Sequence, residues 1–212
     1  MSSYCEGGGN TAAYVAGTDP VINAVKAAVG SGDATYYRSI AILLINTDEQ
    51  AGSTGYPFRD KKEGWPNGYA SFAIAVLAAN STGTNGLIKH EAGGHAFGRL
   101  ADEYNWGGNA DDAKQQSLAN EQNNNGFYWN VSSTTTSDSP WSHFIGRAGY
   151  EDIGYFEGAW GCSTGLYRPT ENSIMLNNQG NFNAPSREII YKRIILQSEG
   201  AGSYSFDRFL EY

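Results

Sequence analysis

The sequence predicts a mixed α/β protein of the α+β kind, and three observations predict it. Arg38 to Asn46 contains Ile-Ala-Ile-Leu-Leu-Ile, too short and too uniformly apolar for anything but a strand buried on both faces. A capped helical stripe precedes it, which suggests helices layered on a sheet. After a second strand comes a helix that carries two of the chain's three histidines.

The first helix opens at Asp19-Pro20, a cap followed by proline at the first helical position. Val21, Ile22, Val25, Ala28 and Val29 give it an apolar stripe, and Gly30 stops it. Residues 47–68 carry Gly52, Gly55, Pro57, Gly64, Pro66 and Gly68, and so read as a long, turn-rich excursion. Tyr69 to Ala78 reads as the second strand. A turn at Ser81-Thr82-Gly83 then leads to Thr84 or Asn85 as the N-cap of the histidine helix, which runs to about Gly98. From Asn105 to Ser139 the chain is polar and irregular in pattern, and a loop of that length is usually functional or mobile. Pro185 opens a last amphipathic helix in which Ile189, Ile190, Ile194 and Ile195 can pack on the core.

Composition narrows the function classes. At 212 residues, with 40% hydrophobic and 17% charged residues, the chain can build one well-buried core or at most two small ones. Residues 1–10 read as a glycine-rich linker and 11–212 as a single catalytic domain, with no internal repeat. A formal net charge of −8 argues against a nucleic-acid partner, which calls for a basic face. No apolar run reaches the roughly 18 residues of a membrane span. Cys5 and Cys162 have no metal-type spacing; they form one disulfide or remain two thiols. Asn80-Ser81-Thr82 and Asn130-Val131-Ser132 match the glycosylation triplet, a short pattern common by chance.

The chemistry concentrates in Lys89 to Tyr104, which holds His90, Glu91, His95, Asp102 and Glu103. A catalytic zinc takes three protein ligands and keeps a fourth position open for water, whose pKa it lowers to about 7. Two histidines four residues apart face one side of an α-helix, but here they are five apart. Five α-helical steps leave the rings about 140° apart, against about 40° for four. A single-turn π-bulge absorbs the extra residue, and Gly93-Gly94 is the place for it. Each glycine otherwise destabilises a helix by about 1 kcal/mol relative to alanine, so the pair fits a deliberate deformation. Glu91, beside the first ligand, can take a proton from the attacking water and pass it to a leaving amine. Gly98 lets the backbone leave the helix through a left-handed turn. Asp102 is then the first candidate for third ligand, with Glu103, His143 and other carboxylates such as Asp152 as competitors.

Glu171-Asn172-Ser173-Ile174-Met175-Leu176 holds the only methionine besides Met1. In metzincin-type peptidases a tight turn with Ser-x-Met sets a methionine beneath the metal-binding histidines. His-Glu-Ala-Gly-Gly-His-x-x-Gly-x-x-x-Asp-Glu-Tyr, taken with Gly165 to Met175, resembles the bacterial IgA-peptidase-type family of zinc metallopeptidases. Trp141-Ser142-His143-Phe144 and Glu157-Gly158 look similar as well, so the likeness covers roughly residues 38–195. The resemblance implies a metzincin-like domain with a twisted sheet, an active-site helix and a Met-turn. It also implies one catalytic zinc ion and endopeptidase activity on a polypeptide substrate. His90, His95 and Asp102 would be its metal ligands, Glu91 its general base and Met175 the turn methionine. The expected setting is secreted or at the cell surface, including periplasmic or outer-membrane-anchored forms, with a further N-terminal domain in the full-length protein.

Two departures from the usual metzincin string stand out. One residue is inserted between the histidines, and Ala101, not histidine, stands six positions after His95. The His-Glu-x-x-Gly-His string also looks like that of dipeptidyl peptidase III, but Gly98, Asp102 and Met175 favour the metzincin-like reading. Tyr167 or Tyr104 could donate a hydrogen bond to the tetrahedral oxyanion. An extended substrate would pair with a strand edge near residues 47–58. The alternatives are a zinc amidase acting on a non-protein substrate such as peptidoglycan, and a non-catalytic metal-containing binding module. Glu91 argues against the last, because a structural site has no use for it.

Overall fold

Hydrophobic patterning resolves into a mixture of helices and small sheets in the computed structural model, which describes residues 19–30, 39–46, 51–61, 69–79, 83–200 and 202–212. The chain divides into two compact units, Asn10–Phe97 and Gly98–Tyr212. The predicted linker at 1–10, Cys5, the Ser81-Thr82 turn and the Asn80 triplet lie outside the described residues.

In the first unit α1 (Asp19–Val29) precedes a three-stranded sheet of β1 (Ile40–Ile45), β2 (Gly52–Lys61) and β3 (Tyr69–Ala78). The order is β1-β3-β2, with β1 parallel and β2 antiparallel to the central β3. Because strand side chains alternate, Ile74 and Val76 meet Ile22 of α1, while Leu77 packs with Leu87 of the following helix. From Ala73 to Ala78 no residue of β3 exceeds 4% exposure, so β3 is the strand buried on both faces.

That corrects the expectation for β1. Its Ala41 and Leu43 pack toward α1, but Ile42 and Leu44 are 49% and 61% exposed. β1 lies at an edge of the sheet, and the helix on the far side packs mainly on β2 and β3. The excursion expected over 47–68 is likewise corrected, because ten of its residues form β2. The turn residues that disguised it have a local role. The register shifts between Gly55 and Phe58, and Pro57, which has no N–H to donate, falls at that irregularity.

The next helix starts as one α-turn, α2 (Thr84–Leu87), and continues as a π-helix over Ile88–Phe97. Its N-cap is Gly83, not Thr84 or Asn85, since the Thr84 hydroxyl donates to the Ala78 carbonyl at 3.1 Å.

The second unit contains α3 (Asp112–Asn120), a π-turn (Glu121–Asn125), the hairpin of β4 (Phe156–Ala159) and β5 (Cys162–Arg168), α4 (Ile174–Asn177), α5 (Ala184–Ser198) and α6 (Phe206–Leu210). α3 corrects the irregular reading of 105–139. Asp111 caps it by accepting from Lys114 N at 2.9 Å. Three apolar clusters form the interior here, one around Leu118, Val131 and Leu166, one around Trp141 and Phe144, and one of Leu100, Ile174 and Met175. α5 starts with Pro185 in its first turn, as its sequence predicts, and is capped by Asn183. Ile189, Ile190 and Ile195 face inward, but Ile194 is 46% exposed, because two adjacent isoleucine pairs span too wide an arc for one contact face. Cys162 is disulfide-bonded and fully buried. Asn130 is also fully buried, so its glycosylation triplet is a chance match. Among the described residues no helix is long and apolar enough to cross a membrane.

Candidate metal centre

The five-residue spacing of the histidines is resolved by the backbone. A π-helix bonds residue i to i+5, so residues five apart stack on one face. His90 and His95 do so, with their Nε2 atoms 3.0 Å apart and ring centroids at 4.7 Å. The expected π-type distortion at Gly93-Gly94 is present and is longer than expected, ten residues in place of a single turn.

Beyond Phe97 the chain turns sharply. The left-handed residue is Arg99 (φ 55°), not Gly98, which corrects the expectation. A non-glycine residue there costs about 1–3 kcal/mol and needs local support. Arg99 has it: its carbonyl accepts from Tyr128 N at 2.8 Å, its guanidinium donates to the Asn125 carbonyl at 3.3 Å and lies over the Phe127 ring. Leu100 then plugs the core with Ile174 and Met175, and the chain runs on through Asp102.

His90, His95 and Asp102 form a group that can hold a metal ion, each offering one ligand atom, all within 4.8 Å of one another. Two nitrogens on a tetrahedral zinc, at about 2.0–2.1 Å each, would lie about 3.3 Å apart. The 3.0 Å histidine pair is close to that spacing, and two imidazoles with one carboxylate are a donor set that zinc accepts. The residues fit the ion.

Glu91 follows the first histidine and is only 6% exposed. Thr54 of β2 donates to its Oε2 at 2.8 Å and, from the same hydroxyl, to its backbone carbonyl at 3.0 Å. Gly52, two residues earlier on the same face, approaches so closely that a Cβ there would lie 2.9 Å from Glu91 Oε1. The Tyr56 hydroxyl donates to the His95 carbonyl. Gly52, Thr54 and Tyr56 therefore fasten the π-helix from β2. Sequence reasoning missed all three, although their alternation has the period of a strand; the glycines hid it.

The competitors for third ligand are otherwise engaged. Glu103 is fully buried and accepts from Ser173 Oγ at 2.5 Å, Asn130 Nδ2 at 3.0 Å and Asn183 Nδ2 at 3.1 Å to each oxygen. Burial pushes its carboxyl above the usual range, while those donors and the charge of Arg168 act the other way. His143 pairs with Glu188 at 2.9 Å, its ring against Phe144 and Phe206, and Asp152 is exposed. Met175 is fully buried, and its carbonyl accepts from Glu103 N at 2.9 Å. Tyr167 lies in β5, its ring packed with the Trp141 and Phe144 cluster and its backbone paired with Ser132. No family model matches the chain, and no curated protein matches its sequence.

Proposed function

We propose that the chain is a zinc-dependent endopeptidase, metzincin-like in its catalytic domain, that hydrolyses peptide bonds of an extracellular or host protein. The observation that carries this reading is one short stretch in which His90, His95 and Asp102 converge while a buried Glu91 between the histidines is clamped by Thr54. A structural metal site has no need of such a carboxylate. The two imidazoles and the Asp102 carboxylate would hold zinc, which when bound acidifies a water and polarises the scissile carbonyl. Glu91 takes the proton of the attacking water and returns it to the departing amine. Thr54 keeps the Glu91 carboxylate in one orientation, so little reorganisation is needed when charge moves.

Two further features support a polypeptide substrate outside the cell. β2 is an edge strand beside Glu91, and an extended peptide adds to such an edge by main-chain hydrogen bonds. The disulfide at Cys162 fits an oxidising compartment. The buried Met175 with Ser173 two residues before it fits a Met-turn. The test is elemental analysis of purified protein together with digestion of an unbiased peptide mixture read by mass spectrometry. Stoichiometric zinc and new internal cleavage sites are expected. A metal-loaded protein that cuts only muropeptides, or nothing, would overturn the endopeptidase reading.

A further inference from the structure

Asp102 and Glu103 are neighbours in the chain, yet their side chains serve different groups. One is half-buried in the metal group, and the other is fully buried in a polar knot. That knot draws on three separate parts of the chain. Asn130 donates to Glu103 and also closes on Ala101, accepting from its N–H at 2.8 Å and donating to its carbonyl at 2.9 Å. Ser173 donates from the methionine turn. Asn183, the cap of α5, donates to both carboxylate oxygens and to Thr170. The Glu103 N–H donates to the Met175 carbonyl, and the Asp102 carbonyl accepts from Trp160 N at 3.0 Å. Residues 101–103 are thus held through both backbone and side chain.

Stability alone does not account for this arrangement. A buried carboxylate is expensive to desolvate, and apolar residues of similar volume often serve stability as well or better. Its value lies in position. Aspartate has a short side chain with two rotatable bonds, so the place its oxygens reach is set by its backbone. Partners beyond the ligand shell commonly change metal affinity 10–100-fold when they are removed.

We infer that Glu103 is a positioning residue for the metal centre: its buried carboxylate, held by Ser173, Asn130 and Asn183, fixes the backbone of Asp102 so that the third ligand reaches the ion. This rests on the metal reading above. The experiment titrates metal-free Glu103→Gln and wild-type protein with Zn²⁺ and with Co²⁺, whose visible spectrum reports coordination. Glutamine keeps the volume but turns an amide donor toward a ring of donors. The expected result is a Zn²⁺ Kd raised about 10–100-fold, with an altered Co²⁺ spectrum, in a variant whose circular dichroism is native. Phe209→Ala, which opens a cavity against Phe144, Tyr191 and Phe206 in the same unit, serves as the control. It should lower Tm while leaving both metal readouts unchanged. If Glu103→Gln folds and binds Zn²⁺ within about twofold of wild type with the same Co²⁺ spectrum, the inference is wrong. Should Glu103→Gln not fold, Ser173→Ala, which deletes one donor, is read by the same criteria and decides the matter. Wild-type protein that binds neither ion would instead remove the metal reading, and this inference with it.

Discussion

Replacing Gly52 with alanine tests the catalytic assignment without touching any group that does chemistry. The new Cβ would stand 2.9 Å from Glu91 Oε1, 3.0 Å from its Cγ and 3.2 Å from Leu87 Cδ2. Leu87 is 3% exposed and cannot retreat, so the Glu91 side chain is the part that moves. Its 2.8 Å bond from Thr54 is then stretched or lost, at about 1 kcal/mol, on top of about 1–3 kcal/mol for overpacking. A shift of about 1 Å in a reacting group can lower a rate on the order of 10²-fold. The expectation is a kcat reduced about 10- to 100-fold, with zinc stoichiometry unchanged because no ligand is altered. Steady-state kinetics on a fluorogenic peptide taken from the digestion experiment, with elemental analysis of the same sample, measure both. A folded, zinc-loaded variant with kcat within about twofold of wild type would refute the claim that β2 aims the catalytic carboxylate.

Three further outcomes follow from the same geometry. Glu91→Gln should retain zinc and lose about 10²–10⁴-fold in hydrolysis, whereas His90→Ala should lose metal and activity together; near-full activity of the glutamine variant removes Glu91 as the base. Asn130→Ala deletes three buried hydrogen bonds, to Ala101 N, Ala101 O and Glu103, and should destabilise the protein by about 3 kcal/mol in urea unfolding; a change below about 1 kcal/mol would show that solvent replaces them. Tyr167→Phe keeps the ring in its aromatic cluster, so a fall in kcat at unchanged Tm would assign its hydroxyl to the oxyanion, and unchanged kinetics would leave the ring a packing residue.

The group of His90, His95 and Asp102 was legible in the sequence because its members obey spacing rules that metal chemistry imposes. His90 and His95 needed a distorted helix, two adjacent glycines advertised one, and a π-helix is present. The mixed α/β class, α1, β3 and α5 were read in the same way, from apolar patterning, the Asp19-Pro20 start and Pro185. What failed depended on neighbours distant in sequence. β1 is as apolar as β3, but only sheet order tells which is central. β2 is rich in glycine and proline and reads as turns, because its strand conformation comes from pairing with β3. The left-handed residue after the helix is an arginine because Tyr128, Asn125 and Phe127 hold it, and no local pattern reveals that. Glu103 looked like a rival ligand for the same reason: its partners lie 27, 70 and 80 positions away.

The length of the π-helix has a further rationale in the way the site divides its labour. Both histidines must point to one side, while Glu91 must reach β2, where Thr54 and Gly52 confine it. Neighbouring helical residues point about a quarter-turn apart, so His90 and Glu91 can serve these two directions at once. In an α-helix, a bulge confined to Gly93-Gly94 would align His95 with His90 but would leave the turn around Glu91 on α-helical spacing. Carrying i to i+5 bonding from Ile88 to Phe97 keeps the whole motif on one repeat. The Tyr56 bond to the His95 carbonyl then ties the far end of that repeat to the strand that clamps Glu91 near its start. The face that carries the two histidines and the face that carries Glu91 are therefore set by one backbone deformation braced at two points by one edge strand. Its weak intrinsic stability, with two glycines inside a helix, is offset by tertiary contacts rather than by helix propensity.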